Sequence, residues 1–333
     1  MRHPLRAPPR RRLLTAGLAA PALLPFFARA QGGALPQGTV RVLVGFPPGG
    51  GTDVMGRAIL EALRRRGTFR SVIIENRPGA SGTVAGEALK HAPPDGTTIL
   101  FAPSASTVQP VWTFRRLPFD PRTDFAALTL TGTLQTCLVL SAQTPARSIQ
   151  DYVAWVKADP RRGNFGTTAL GANPHFFGLV LGEIFGMPME PVGYRGAAPL
   201  VADLTAGHIM AGTGGVSDFM TFHRDEKLRI VLTSGPRRAS AAPDIPCLAD
   251  LGHADRASIG FYGFFAPAAT PRPLVEALGR ELAAATMEAD VRRTLSELGL
   301  EVETSTPEGF RTLVAGEIER WRPIIEKSGF KVD

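Results

Sequence analysis

The residues most able to do chemistry lie in one glycine-rich turn, Val40 to Asp53, which reads VRVLVGFPPGGGTD. An apolar stretch typical of a buried strand leads into Pro-Pro-Gly-Gly-Gly and then into a helical pattern. The three glycines let backbone N–H groups approach a ligand closely, because no Cβ intervenes. Thr52 or Asp53 is placed to cap the helix, whose first turn adds unpaired N–H groups and the positive end of the helix dipole. The turn therefore predicts a site for an anion, either a phosphate or a carboxylate.

This turn matches neither common phosphate motif. It lacks the Gly-Lys-Ser/Thr ending of a P-loop and the Gly-x-Gly-x-x-Gly spacing of a dinucleotide turn. A strand-to-helix turn that binds nothing explains the loop equally well. Asp53 is itself acidic, so we expect its side chain to cap the helix or to contact an amino or hydroxyl group of a ligand.

Residues 1 to 30 have the pattern of an export signal. They contain six arginines and no acidic residue, and an apolar run, LLTAGLAAPALLPFF, precedes Ala28-Arg29-Ala30, which fits a cleavage site before Gln31. Arg10-Arg11-Arg12 resembles the twin-arginine pattern, although the general secretory route stays open as an alternative. We expect the mature protein to work in the periplasm.

Removal of the signal changes the charge argument. The whole chain carries a formal charge of +7, and the six signal arginines account for +6, which leaves +1 for the mature protein. The mature part has no basic run and no aromatic-basic motif, so nucleic acid is not an expected partner. No Gly-x-Ser-x-Gly or His-Glu-x-x-His motif occurs, and no metal or other cofactor is predicted.

The two cysteines, Cys137 and Cys247, permit at most one disulfide. Nothing in the sequence brings them together. A bridge and two separate buried thiols therefore both stay open.

The elements that position the turn follow an alternating α/β order. Strand-like runs such as TVRVLVGF, SVIIEN and TTILFAP alternate with helical patterns such as IQDYVAWVKAD, which predicts mostly parallel sheets flanked by helices. A mature chain of about 300 residues fits two lobes better than one. Two apolar runs, LTLTGTLQTCLVLS and IGFYGFFAPA, are too long for average strands, and we expect them to cross between the lobes.

Several separated motifs follow the glycine-rich turn in a specific order. They include ENRPGASG from Glu75, APPDGTTIL from Ala92, NFGTTALGANPHFFG from Asn164, and Tyr194-Arg195-Gly196. In this order they closely resemble the substrate-binding receptors of tripartite tricarboxylate transporters, also called Bug receptors. The resemblance covers the whole mature chain.

The resemblance implies a two-lobed periplasmic binding protein of type II that is not an enzyme. Lobe 1 would comprise residues 31–131 plus 256–333, and lobe 2 residues 132–255. Such a receptor closes on a small organic carboxylate, needs no cofactor, acts as a monomer and delivers the ligand to membrane permease subunits. A receptor that feeds a sensor kinase is the alternative, and a secreted hydrolase is less favoured. Neighbouring permease or kinase genes would distinguish the first two.

The resemblance also implies that two loops hold one carboxylate of the ligand through N–H groups and hydroxyls, which bind an anion strongly when water is excluded. The implied contacts of the first loop and its surroundings are Phe46, Pro48, Gly49, Gly50, Gly51, Thr52, Asp53, Ser81, Ser104 and Ser106. Those of the second loop and its surroundings are Thr167, Thr168, Gly171, Ala172, Asn173, His175 and Arg195.

Two of these residues have alternative roles, and two departures from the family pattern bear on the ligand. His175 also fits a core or capping role, and Arg195 a surface ion pair. One glycine and one hydroxyl of the usual second loop are missing between Gly166 and Ala172. Met210 stands where an acidic residue is common. The identity of the ligand is therefore not predicted.

Overall fold

The computed structural model describes residues 35–332. The predicted export signal lies outside the described residues. The strands are β1 (Thr39–Val44), β2 (Ser71–Asn76), β3 (Thr98–Pro103), β4 (Phe125–Leu134), β5 (Thr136–Ser141), β6 (Asn164–Thr167), β7 (Glu190–Gly193), β8 (Ala211–Gly215), β9 (Leu228–Thr233) and β10 (Gly260–Pro267). The helices are α1 (Gly51–Arg65), α2 (Thr83–Lys90), α3 (Ser104–Thr107), α4 (Pro110–Thr113), α5 (Ile149–Ala158), α6 (Asn173–Phe185), α7 (Ala197–Ala206), α8 (Val216–Arg224), α9 (Arg272–Thr286), α10 (Ala289–Glu297) and α11 (Pro307–Ser328).

The strands form two five-stranded sheets flanked by helices. The first sheet has the order β2-β1-β3-β10-β4, and the second has the order β7-β6-β8-β5-β9. In each sheet two neighbouring pairs are parallel and two are antiparallel, so both sheets are mixed. The predicted two-lobed α/β class is confirmed, but the sheets are less parallel in their pairing than the sequence pattern suggested.

One reversed strand in each sheet explains this difference. Only β10 in the first sheet and β5 in the second run against their neighbours. Each of them follows a strand of the other sheet along the chain. A strand that arrives from the other lobe starts at the edge where the remaining strands end, and it therefore has the opposite direction.

The two predicted chain crossings lie where these reversed strands begin. β4 ends at Leu134 in the first sheet and β5 begins at Thr136 in the second, with Gln135 between them. The side chain of Gln135 accepts the N–H of Gly235 at 3.1 Å and donates to the carbonyl of Arg237 at 3.0 Å, which ties the first crossing to the segment that follows β9. The second crossing lies beside the first, because Gly260 at the start of β10 pairs with Leu134. The predicted lobe boundaries themselves stay a prediction.

Helix α1 shows how the sequence pattern builds the core. Its residues Met55, Ile59 and Leu63 lie four apart and form one buried face. This face packs against the first sheet, in which Val40 and Val42 are fully buried. Among residues 35–332, no helix combines the length and the apolar character needed to cross a membrane.

The two cysteines are buried free thiols. Thr233 lies between them, because it pairs with Cys137 on one side and with Cys247 on the other. Two strand spacings amount to roughly 9–10 Å, which exceeds the Cα separation that a disulfide spans. Of the two alternatives, the structure shows the separate thiols.

Candidate ligand-binding site

Three loops meet where β1, β2 and β3 end. Gly45 follows β1, and a Cβ there would lie 2.6 Å from the Cα of Gly82, so the two backbones touch. Gly82 has φ +89°, and a Cβ there would lie 2.5 Å from the Oγ of Ser106. Ser106 donates to the carbonyl of Ser81 at 2.8 Å. The structure thus brings together the first loop and two of the predicted serines.

The carboxylate of Asp53 holds the first loop in place through hydrogen bonds. It accepts the N–H of Gly49 at 2.9 Å, the Nε of Arg57 at 2.8 Å and the Nδ2 of Asn76 at 2.9 Å. Burial opposes the charge, but these hydrogen bonds outweigh it and lower the pKa of Asp53. Asn76 also donates to the carbonyl of Phe46 at 3.0 Å. The Gly49 N–H is consequently used within the protein.

The backbone N–H groups without an acceptor in the helix lie in the residues that follow this loop, at the start of α1. Gly50 is the N-cap of α1 and has no side-chain cap, so the helix begins before the predicted caps, Thr52 and Asp53. The first N–H to bond inside the helix is that of Val54, which donates to the carbonyl of Gly50 at 2.9 Å. The N–H groups of Gly51, Thr52 and Asp53 precede it and have no intrahelical acceptor. A Cβ at Gly51 would meet nothing within 4 Å.

Other predicted residues of the first lobe surround this helix end in different ways. Phe46 is half-buried and Pro48 is exposed. Ser104 is buried, and its Oγ accepts the N–H of Phe261 at 3.3 Å, so it joins the start of α3 to β10. The Oγ1 of Thr52 lies 3.4 Å from the phenol oxygen of Tyr262.

The second lobe repeats this arrangement where β6, β7 and β8 end. Thr167 is fully buried, and its hydroxyl has no hydrogen-bond partner within the described chain. The N–H of Thr168 donates to the carbonyl of Thr213 at 3.1 Å, and its carbonyl accepts the N–H of Gly196 at 3.2 Å. The second loop is therefore tied to both neighbouring strand ends.

His175 holds the far end of the second loop. Its Nδ1 accepts the N–H of Gly171 at 3.2 Å, and its ring centroid lies 4.8 Å from that of Phe176 and 5.0 Å from that of Phe330. Burial lowers the pKa of His175 to about 4, so the ring is neutral at pH 7. This geometry matches the structural alternative, whereas Gly171 and Ala172 stay partly accessible.

Asn173 and Arg195 occupy contrasting positions. Asn173 is buried at the start of α6, and its amide contacts the amide of Gln109 from the first lobe. Gln109 is fully buried. When its amide is oriented so that both its nitrogen and its oxygen form hydrogen bonds, the oxygen also accepts the indole N–H of Trp321 at 3.2 Å. Arg195 is exposed beside the second loop, and its guanidinium has no partner among residues 35–332.

Sequence reasoning missed several residues of this region. Asn76 stands in a quoted motif but carried no assigned role, and Gln109 offered no signal. Tyr262 lies in a crossing run but carried no assigned role. Asp218 follows the glycine-rich end of β8, and its Oδ2 accepts the N–H of Gly215 at 2.9 Å. A carboxylate three residues into a helix was the available signal for Asp218.

Cavities also lie elsewhere in the described chain. One of about 980 Å³ lies between α9 and the start of α11, and one of about 500 Å³ lies between α6 and α11. Neither is lined by a predicted site residue. Within residues 35–332, no group of three or more His, Cys, Asp or Glu side chains is placed to hold a metal ion. Open helix N–H donors, rather than volume, define the candidate site, and such donors suit an anion.

The fold and the facing strand ends define a two-lobed binding protein of the periplasmic class. The chain belongs to the family described as the tripartite tricarboxylate transporter family receptor, whose model matches residues 56–330. This family consists of transport receptors and not of enzymes, so the hydrolase alternative is rejected.

Individual relatives agree with this assignment. The chain is 30% identical over 317 residues to the UPF0065 protein in the tcbD-tcbE intergenic region of Pseudomonas sp. (strain P51), which covers 95% of this chain and 94% of that protein. A solved periplasmic transporter has a TM-score of 0.73 at 26% identity, covering 89% of this chain and 98% of its own. MatC from Rhodopseudomonas palustris, solved with bound malate, has a TM-score of 0.70 at 26% identity, covering 86% and 98%.

Proposed function

We propose that this protein is a periplasmic solute receptor that binds a small organic carboxylate between its lobes and delivers it to a tripartite tricarboxylate-type permease. The observation that carries the proposal is the first turn of α1. Its N–H groups at Gly51, Thr52 and Asp53 have no intrahelical acceptor, and they lie at the strand ends where the lobes meet. A carboxylate is the anion that such donors and the helix dipole favour in a carboxylate-receptor family.

The position of Asp53 strengthens the proposal. Its charge is neutralised by Arg57 and hydrogen-bonded by the amide of Asn76, so it presents little repulsion to an anion in front of the loop. At the same time it anchors Gly49 and fixes the loop before the ligand arrives. A preformed set of donors loses less entropy on binding.

The second loop supplies the opposing wall in this proposal. Thr168 and Gly171 are tied in place, and Arg195 stands free beside them. Arg195 is positioned to meet a second carboxylate of a diacid. The malate bound to MatC supports a four-carbon diacid as the first compound to test.

The compartment and the partners are part of the same proposal. The pattern of residues 1–30 supports export to the periplasm, with maturation at or near Gln31, and the family supports delivery to membrane permease subunits. In this proposal the receptor acts as a monomer. N-terminal sequencing of the exported protein should begin near Gln31, and an intact Met1 would contradict this part.

Gly51→Val tests the binding site directly. The new side chain projects into open space, because a Cβ at Gly51 meets no atom within 4 Å, and it covers the N–H donors. Gly38→Val is the matched control, since Gly38 precedes β1 and is equally unobstructed. We expect calorimetry with L-malate to show binding to the wild type and to the control, and none to Gly51→Val. Normal affinity in a folded Gly51→Val protein would place the carboxylate elsewhere.

Arg195→Ala tests the second carboxylate. The variant should lose about 10- to 150-fold in affinity for succinate, because one charge-assisted contact is removed. Its affinity for butyrate, which has the same chain length and one carboxylate, should stay unchanged. Equal losses of affinity for both acids, or no loss for either, would show that Arg195 does not bind the second carboxylate of a diacid.

A further inference from the structure

Among the described carboxylates where the lobes meet, Asp218 has the fewest hydrogen-bond partners. It is the third residue of α8, and its Oδ2 accepts one hydrogen bond, from the N–H of Gly215 at 2.9 Å. Its Oδ1 accepts none from residues 35–332 and is not sealed from solvent. The residue as a whole is half-buried.

Asp218 and the proposed carboxylate donors both lie where strands end and helices begin, although they belong to different sheets. The start of α8 lies at the first crossing, because the N–H of Val216 donates to the carbonyl of Gln135 at 3.1 Å, and Tyr262 pairs with Gly132 three residues before Gln135. Burial raises the pKa of Tyr262, and the charge of Asp218 raises it further. The phenol oxygen of Tyr262 lies 3.4 Å from the Oγ1 of Thr52 in the first turn of α1. Tyr262 thus contacts the start of α1 and lies within the electrostatic reach of Asp218.

A comparison with Asp53 shows what Asp218 lacks. Both are third residues of helices that start at the meeting edge, and both accept one loop N–H. Asp53 also has Arg57 and Asn76, whereas Asp218 has no cationic partner among the described residues. Burial accordingly raises the pKa of Asp218. A half-buried carboxylate without a partner is costly, and a ligand donor would offset that cost.

We propose that Asp218 contacts the ligand and selects carboxylic acids that carry a hydrogen-bond donor, a hydroxyl or an ammonium group, on the carbon next to the bound carboxylate. This inference rests on the proposed function, because the start of α1 must hold the carboxylate. An ammonium gains most, since it also compensates the charge of Asp218. A second carboxylate of the ligand is repelled from Asp218 and is directed toward Arg195.

Two matched series of acids test the selection on the exported, processed protein. The first is propionate, L-lactate and L-alanine, and the second is succinate, L-malate and L-aspartate. Within each series only the group at the second carbon changes, from hydrogen to hydroxyl to ammonium. We expect calorimetry to show that the amino acid binds about tenfold or more tighter than the parent acid, with the hydroxy acid between them.

Asp218→Asn is the decisive variant, because the amide oxygen still accepts the Gly215 N–H while the charge is removed. The preference for the amino acid should fall to less than about threefold. Asp151→Asn is the matched control. Asp151 is the third residue of α5 and likewise accepts the N–H of its N-cap residue, Ser148, but its own side chain is exposed. It should leave the preference unchanged.

The outcomes separate the two proposals. If the acids of a series bind equally to the wild type, or if Asp218→Asn keeps the full preference, the role of Asp218 is overturned while the receptor function stands. If none of the six acids binds, the proposed function fails and the inference fails with it. If Asp218→Asn does not fold, the preference of the wild type within each series still decides.

Discussion

The buried ring of His175 predicts a specific loss of stability in acid. Burial lowers the pKa of His175 from 6.5 to about 4, so the unfolded chain takes up a proton more readily than the folded chain between these values. The stability from this group is complete above the unfolded pKa and is lost as the pH falls through the folded one. The full shift corresponds to about 3 kcal/mol, of which roughly 2.5 kcal/mol is lost between pH 7 and pH 4.5.

Urea unfolding at pH 7 and pH 4.5 measures this loss. His175→Asn removes the titration and keeps an acceptor near the N–H of Gly171. The free energy of unfolding of this variant should therefore fall by roughly 2.5 kcal/mol less than that of the wild type over the same pH interval. His91→Asn is the control, because His91 is exposed, and it should behave as the wild type does.

The reasoning would be refuted by an equal pH dependence in the wild type and in His175→Asn. An NMR titration gives an independent check, since the ring resonances of His175 should not shift between pH 8 and about pH 5. Protonation of the folded protein would also release Gly171, so malate affinity should drop only as the pH falls through about 4. Unchanged affinity below pH 4 in protein that is still folded would separate the loop anchor from ligand binding.

Two further substitutions probe the first loop. Gly45→Ala places a Cβ 2.6 Å from the backbone of Gly82, so we expect a loss of about 1–3 kcal/mol in urea unfolding together with loss of malate binding, and wild-type stability would contradict the backbone contact. Asp53→Asn replaces an acceptor of Gly49 and Arg57 by an amide that cannot satisfy all their donors, so it should cost about 1–3 kcal/mol, and an unchanged urea midpoint would argue against its role as loop anchor.

The parts of the fold that the sequence predicts are those that local patterns encode. The apolar alternation of β1 and the four-residue spacing of Met55 and Ile59 specify the strand and helix on either side of the glycine-rich turn. The two unusually long apolar runs predicted the crossings, because a strand that leaves one sheet and enters another is buried over its whole length. The reversed direction of β5 and β10 has no local pattern, and the motif order supplied the two-lobed class that the structure confirms.

The candidate site was less predictable because its contacts join residues far apart in the chain. The carboxylate of Asp53 meets Asn76, and Gln109 meets Asn173, with nothing in either segment to show the pairing. Local spacing correctly indicated a helix start near Thr52, but not which N–H groups would be used internally. Which N–H groups are used internally depends on the side chain of Asp53, which hydrogen-bonds back to Gly49 in the loop.

The two crossings side by side have a mechanical consequence. Leu134 at the first crossing pairs with Gly260 at the second, and each crossing continues directly into a hydrogen-bonded strand of the sheet that it enters. Two adjacent crossings that are fixed at both ends resist sliding and twisting of one lobe against the other. They still allow the lobes to bend about the line along which the crossings lie. The lobes are therefore expected to open and close about a single hinge axis. The angle between the lobes would then tell a membrane partner whether a ligand is bound.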